Sequence, residues 1–127
     1  MTKLHAKFAS VCAVTLILSA GAFAEGDATR GETIFKQCAT CHSMDPAEKK
    51  MGPHLQGLVG RTAGSIEGAT YSKAMKASEI VWDANSLREF LTNPRKALPG
   101  TSMPIGLAKT GDMDDLLAYL SADTSAE

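Results

Sequence analysis

Two thiols three positions apart, with an imidazole directly after the second, are the residues most able to do chemistry here: Cys38-Ala-Thr-Cys41-His42. Covalent haem attachment needs this order. Each thiol S–H adds across one vinyl group of the porphyrin and leaves a thioether. The spacing sets both sulfurs along one edge of the ring, and the adjacent His42 can turn beneath it to bind iron. Other uses of the same residues fit less well. A redox-active dithiol expects a βαβ setting, which does not flank Cys38. Zinc would need two further Cys or His ligands, and the remaining cysteine, Cys12, lies in a segment with the marks of a removable leader. A structural disulfide suits an oxidising compartment but gives His42 no role.

Haem iron takes a second axial ligand, and a Met/His pair favours a raised reduction potential and electron transfer. The candidates are Met44, Met51, His54, Met75, Met103 and Met113. Met44 is too near His42 to cross the ring. Met113 falls on an apolar helix face, and Met75 reads as packing within a short helix. His54 follows Pro53 in a loop, where a surface imidazole is the ordinary reading. Met103 lies 61 residues beyond His42, in Pro99-Gly100-Thr101-Ser102-Met103-Pro104. A thioether is a weak ligand, and a loop stiffened by two prolines is already ordered when it binds. His42 and Met103 are therefore the expected iron ligands.

The elements that must carry these residues are helices and loops. Asp27 can cap a first helix, with Ile34 and Phe35 on its apolar face, that runs into the thiol motif. Ser43 to Gly60 is punctuated by Pro46, Gly52, Pro53, Gly57 and Gly60 and reads as loop. Its apolar residues are Leu55, Leu58 and Val59. A short helix is expected from Ser72 to Ala77. Another should end at Asn93, before Pro94. Ser86 and Glu89 match a capping box for it, although Asp83 could cap one turn earlier. Pro94, Pro99, Gly100 and Pro104 exclude a regular helix from Pro94 to Ile105. Asp112 is the expected cap of a last helix, whose Met113, Leu116, Leu117 and Leu120 share one face. No convincing strand alternation is present. Long loops ordinarily count against a compact domain, but a flat central cofactor gives them something to wrap. The expected fold is all-α: three to five helices with long loops around one covalent haem.

The first 24 residues read as a secretory signal. Lys3 and Lys7 precede an apolar run, and Ala22-Phe23-Ala24 supplies a small-x-small cleavage pattern before Glu25. The uncharged run from Phe8 to Ala24 is 17 residues, marginal for spanning a bilayer; an uncleaved anchor is the competing reading. Residues 25–127 then form one small domain of 103 residues. Its own core is limited, so an apolar cofactor would complete it. Loss of Lys3 and Lys7 leaves 11 basic against 14 acidic residues, compared with 13 and 14 in the whole chain. An acidic balance speaks against nucleic-acid binding.

The chain resembles a class I cytochrome c, of the mitochondrial and bacterial periplasmic type, from about Gly31 to Leu120. The matching segments are Gly-Glu-Thr-Ile-Phe before the thiol motif, Gly52-Pro53-His54-Leu55, Gly57-Leu58-Val59-Gly60-Arg61, Tyr71-Ser72, Ile80-Val81-Trp82, Asn93-Pro94, Pro99-Gly100-Thr101-Ser102-Met103 and Asp115-Leu116-Leu117-Ala118-Tyr119-Leu120. The resemblance implies one haem c held through Cys38 and Cys41. It implies that the Pro53 carbonyl accepts a hydrogen bond from the His42 imidazole, and that Arg61, Tyr71 and Trp82, with Thr101, hold a buried propionate. Gly31 and Phe35 should meet Leu116 and Tyr119 where the first and last helices cross. Three positions depart from the family pattern: Phe90 stands where many relatives have tyrosine, Met75 where asparagine is common, and Ser102 where a lysine precedes the ligand. All three lower the polarity of the distal side.

By the same resemblance the chain is a soluble periplasmic monomer that shuttles single electrons between redox proteins it meets transiently, without enzymatic turnover or stable membrane insertion. By the family layout Lys36, Lys73, Lys76, Arg95, Lys96 and Lys109 fall around an exposed haem edge, where they would steer docking; as ordinary solvated charges they would not. Two rivals use the same motifs. One is a haem-carrying subunit of a larger dehydrogenase or oxidase. The other is an enzyme or ligand sensor, which would require an iron with no firm sixth ligand.

Overall fold

The computed structural model describes residues 26–122; the expected signal segment, residues 1–24, lies outside them. Five α-helices occur among the described residues: α1 (Ala28–Phe35), α2 (Lys73–Ala77), α3 (Ala84–Thr92), α4 (Pro94–Ala97) and α5 (Met113–Ala122). A 3-10 turn, Thr110–Asp112, leads into α5. No helix among the described residues is long and apolar enough to cross a membrane.

Helices α1 and α5 cross in close contact. A Cβ built on Gly31 would lie 2.0 Å from the Asp115 carbonyl oxygen and 2.6 Å from Tyr119 Cβ, so only glycine allows this approach. Phe35 and Tyr119 rings meet at 5.4 Å. The crossing is pinned at one end by Asp115, which is buried: its Oδ1 accepts the Asp27 N–H at 2.7 Å and its Oδ2 pairs with Arg30 at 3.2 Å. Asp27 in turn caps α1, accepting from the Thr29 and Arg30 amides. Met113, Leu116, Leu117 and Leu120 are all buried, as their helical spacing requires.

Helix α3 begins one turn before the Ser86–Glu89 box. Asp83 is the N-cap and Ser86 the third residue; each side chain accepts from the other's amide. An aspartate matches the orphan amides better than a serine one turn inside the helix. Proline also failed to exclude helix at Pro94. As the first residue of α4 its missing N–H has no partner to lose, and Asn93 caps the turn through the Lys96 amide. Asp112, expected as a cap, is instead the last residue of the 3-10 turn. Away from the helices, the segments at Thr62 and Val81 meet in an isolated antiparallel bridge. Ala63 N–H donates to the Ile80 carbonyl, Trp82 N–H to Arg61 and Gly60 N–H to Trp82. This pairing sets Arg61 beside Trp82.

Candidate functional site

One apolar cavity of ≈ 260 Å³ collects the residues singled out above: Cys38, Cys41, His42, Pro53, Arg61, Tyr71, Trp82, Thr101 and Met103 all line it. The thiol-bearing turn continues from α1. Cys38 and Ala39 amides donate to the Phe35 carbonyl, and Cys41 and His42 amides to that of Cys38. Both cysteines are free thiols and half-buried. Burial pushes the Cys38 thiol above its ordinary value, so it sits in the cavity wall as a neutral, apolar group.

His42 is oriented by backbone. Its Nδ1 lies 2.7 Å from the Pro53 carbonyl oxygen, which makes Nδ1 the protonated nitrogen and leaves Nε2 with a free lone pair. Gly52 N–H donates to the Cys41 carbonyl at 2.8 Å. A Cβ on Gly52 would come within 2.5 Å of His42 Cε1, so the missing side chain is the space the ring occupies.

The loop bearing Met103 is anchored throughout. Leu98 N–H donates to Pro94, and Leu107 N–H to Leu91 on α3. Leu98 to Thr101 form a tight turn closed by the Thr101 N–H to Leu98 carbonyl bond. Gly100 has φ +90°, the left-handed geometry that a Pro-Gly type II turn demands. Thr101 Oγ1 then accepts the Met103 N–H at 3.3 Å. Met75, Phe90, Leu91 and Leu107 line the same cavity, and Trp82 meets Phe90 at 5.2 Å.

Arg61 is the charged side chain of the lining. Its guanidinium donates to the Gln56 and His54 carbonyls, each at 3.0 Å, and no carboxylate among the described residues pairs with it. Burial lowers its pKa, with Tyr71 opposing. The Tyr71 hydroxyl accepts the Ile66 N–H. A half-buried cation facing an apolar cavity fits a ligand that brings its own carboxylate.

An imidazole nitrogen, a thioether sulfur, two thiols and a guanidinium with no carboxylate partner, all around one apolar space, are a donor set that fits an iron porphyrin with acidic side arms. Among the described residues no three His, Cys, Asp or Glu side chains gather as a site for a bare metal ion. At the mouth, sequence reasoning missed Ile105 and named Met51 only as a candidate axial ligand. Met51 and Ile105 line the cavity yet are 81% and 71% exposed. Met51 precedes the glycine against His42, and Ile105 follows Met103 by two residues. Neither has periodicity or charge to single it out. None of the six cations expected around an edge lines the cavity.

The Cytochrome c family model matches residues 28–122. The chain is 47% identical over 105 residues to "Cytochrome c" of Stellaria longipes, covering 80% of this chain and 97% of that one. It is 42% identical over 108 residues to "Cytochrome c2" of Agrobacterium tumefaciens (strain II Chrys), covering 81% and 97%. Among solved structures, cytochrome cH from Methylobacterium extorquens aligns with a TM-score of 0.70 at 38% identity, over 76% of this chain and 99% of that one.

Proposed function

Because the chain belongs to the cytochrome c family, which carries electrons on covalent haem c, we propose that it is a soluble periplasmic monohaem carrier that shuttles single electrons between transient redox partners and is not an enzyme. The observation that carries this reading is the convergence of Cys38, Cys41, His42 and Met103 on one cavity. When bound, the haem supplies one iron that cycles between ferrous and ferric states. Cys38 and Cys41 would hold it by thioethers, and His42 and Met103 would supply the donors to its iron. The Pro53 carbonyl fixes the His42 tautomer, so Nε2 is the coordinating nitrogen. Arg61, with Tyr71, Trp82 and Thr101, receives a propionate. The backbone anchors of His42 and of the Met103 loop would hold both donors in place, which suits electron transfer without a substrate site.

Only Met51, Val81 and Ile105 are exposed large apolar side chains among the described residues. That small apolar exposure favours brief encounters by a monomer over a fixed place in a larger complex. Periplasmic location rests on the leader-like residues 1–24 and the cleavage pattern before Glu25.

Mass spectrometry of exported, matured protein tests the reading. The expected mass is that of residues 25–127 plus one haem. Met103→Ala should lose the low-spin methionine spectrum and lower the reduction potential. A haem-free mass would refute the attachment, and an unchanged Met103→Ala spectrum would refute the distal ligand.

A further inference from the structure

Lys50 is not among the residues lining the cavity, yet it reaches the turn that bears the thiols. Its ammonium donates to the carbonyl oxygen of Ala39, between the two cysteines, at 2.7 Å across eleven positions of chain. It also meets Glu48 Oε1 at 3.5 Å. Glu48 Oε2 accepts from the Ser43 hydroxyl at 2.6 Å, and Ser43 Oγ in turn accepts the Asp45 N–H at 2.9 Å. Ser43 is buried and directly follows His42.

Together these bonds make residues 43–52 a strap across the turn. Two fasteners tie it down near its far end: Lys50 to the Ala39 carbonyl, and the Gly52 amide to the Cys41 carbonyl. Immediately beyond are the two groups that set the His42 ring, the bare Cα of Gly52 and the carbonyl of Pro53. The Lys50–Glu48 pair alone would do little, since the Glu48 side chain is 53% exposed and such pairs are weak. The charge-assisted bond to Ala39 is different: the Lys50 side chain is only 26% exposed, and its acceptor belongs to the attachment turn.

We propose that Lys50 is a positioning residue for the proximal ligand: by clasping the Ala39 carbonyl it fixes how the Gly52-Pro53 segment lies against the Cys38–His42 turn, and so fixes the plane of the His42 imidazole. This rests on the reading of His42 as an iron ligand. It distinguishes Lys50 from a solvated surface lysine, and Glu48 from a second determinant: Glu48 only steadies the ammonium.

The test uses the full, haem-loaded protein. Proton NMR of the ferrous form follows the His42 ring protons, and of the ferric form the haem-methyl hyperfine shifts, which report the orientation of the axial ligand planes. Lys50→Met should move the His42 ring resonances and redistribute the methyl shifts. Lys50→Arg, which keeps the donor, should return both towards wild type, and Glu48→Gln should change them little. If Lys50→Met fails to mature, Lys50→Gln is read in the same way. A wild-type pattern in the Lys50→Met protein, even with lowered thermal stability, would overturn the proposal and leave Lys50 a purely structural contact. A wild-type protein with no ring-current-shifted His42 protons would instead overturn the ligand reading itself.

Discussion

His42 depends on what its neighbours lack as much as on what they supply. The ring fits because Gly52 has no side chain, and it points correctly because its Nδ1–H donates to the Pro53 carbonyl. Gly52→Ala would set a methyl 2.5 Å from Cε1 and 3.1 Å from the Cys41 carbonyl oxygen. Overpacking of this kind costs about 1–3 kcal/mol. The variant should unfold at lower denaturant and show a perturbed proximal ligand, both readable in one spectroscopic titration. His54, next along, is a different case. Its Nδ1 is shielded from solvent and has no hydrogen-bond partner. Burial holds its pKa below the ordinary value, Arg61 adds to this, and Asp45 opposes it. The unfolded chain takes up a proton near pH ~6.5, whereas the folded chain does so only at lower pH. Stability should therefore fall as pH drops through that value, and stop falling once pH is below the folded pKa. His54→Asn should flatten this part of a melting-temperature profile. An equal slope in both proteins would remove His54 as the cause.

Among the elements, helices frame the cavity while turns and loops carry the ligand residues. Met103 reaches the cavity from a loop bounded by α4 on one side and an amide bond to α3 on the other. The critical bend is Gly100, whose φ of +90° an L side chain adopts at a cost of about 1–2 kcal/mol. Gly100→Ala should therefore weaken retention of Met103 more than it weakens the fold. Exogenous imidazole should displace the methionine at lower concentration, while the denaturation midpoint shifts only modestly. Much of this level was legible in the chain. The periodic apolar face of α5 and the non-helical course of the chain from Pro99 to Ile105 both read correctly, because each rests on local stereochemistry. Capping was ambiguous for a local reason as well. Asp83 and Ser86 are both good caps, and only the finished helix shows that the aspartate lies outside and the serine within. Pro94 misled because proline breaks a helix in its interior yet opens one at its first position.

At the scale of the whole molecule, Cys38, Cys41, His42 and Met103 were readable from motif and spacing, and Pro53, Arg61, Tyr71, Trp82 and Thr101 from the family resemblance, but the mouth of the cavity was not. Nothing local marks Ile105, and Met51 was marked only as one methionine among several candidate ligands. Their exposure beside a buried site follows only from how two distant loops meet. The Lys50–Ala39 bond likewise has no signature in the chain, since any of several lysines could have closed on any carbonyl. If electrons leave through this mouth, a charge there will hinder approach of another protein without altering the iron's ligands. Ile105→Glu and Met51→Glu should each slow electron self-exchange several-fold at low ionic strength, measured by NMR line broadening in mixtures of oxidised and reduced protein, with the reduction potential almost unchanged. Undiminished exchange would show that transfer uses another face. The Asp27–Asp115 bond, spanning 88 positions, has a consequence of its own. A belt buckled at its two ends does not fall open when severed in the middle. Limited proteolysis at the exposed Ala47–Lys49 stretch should yield two fragments that still migrate as one species on a native gel, separating only in denaturant.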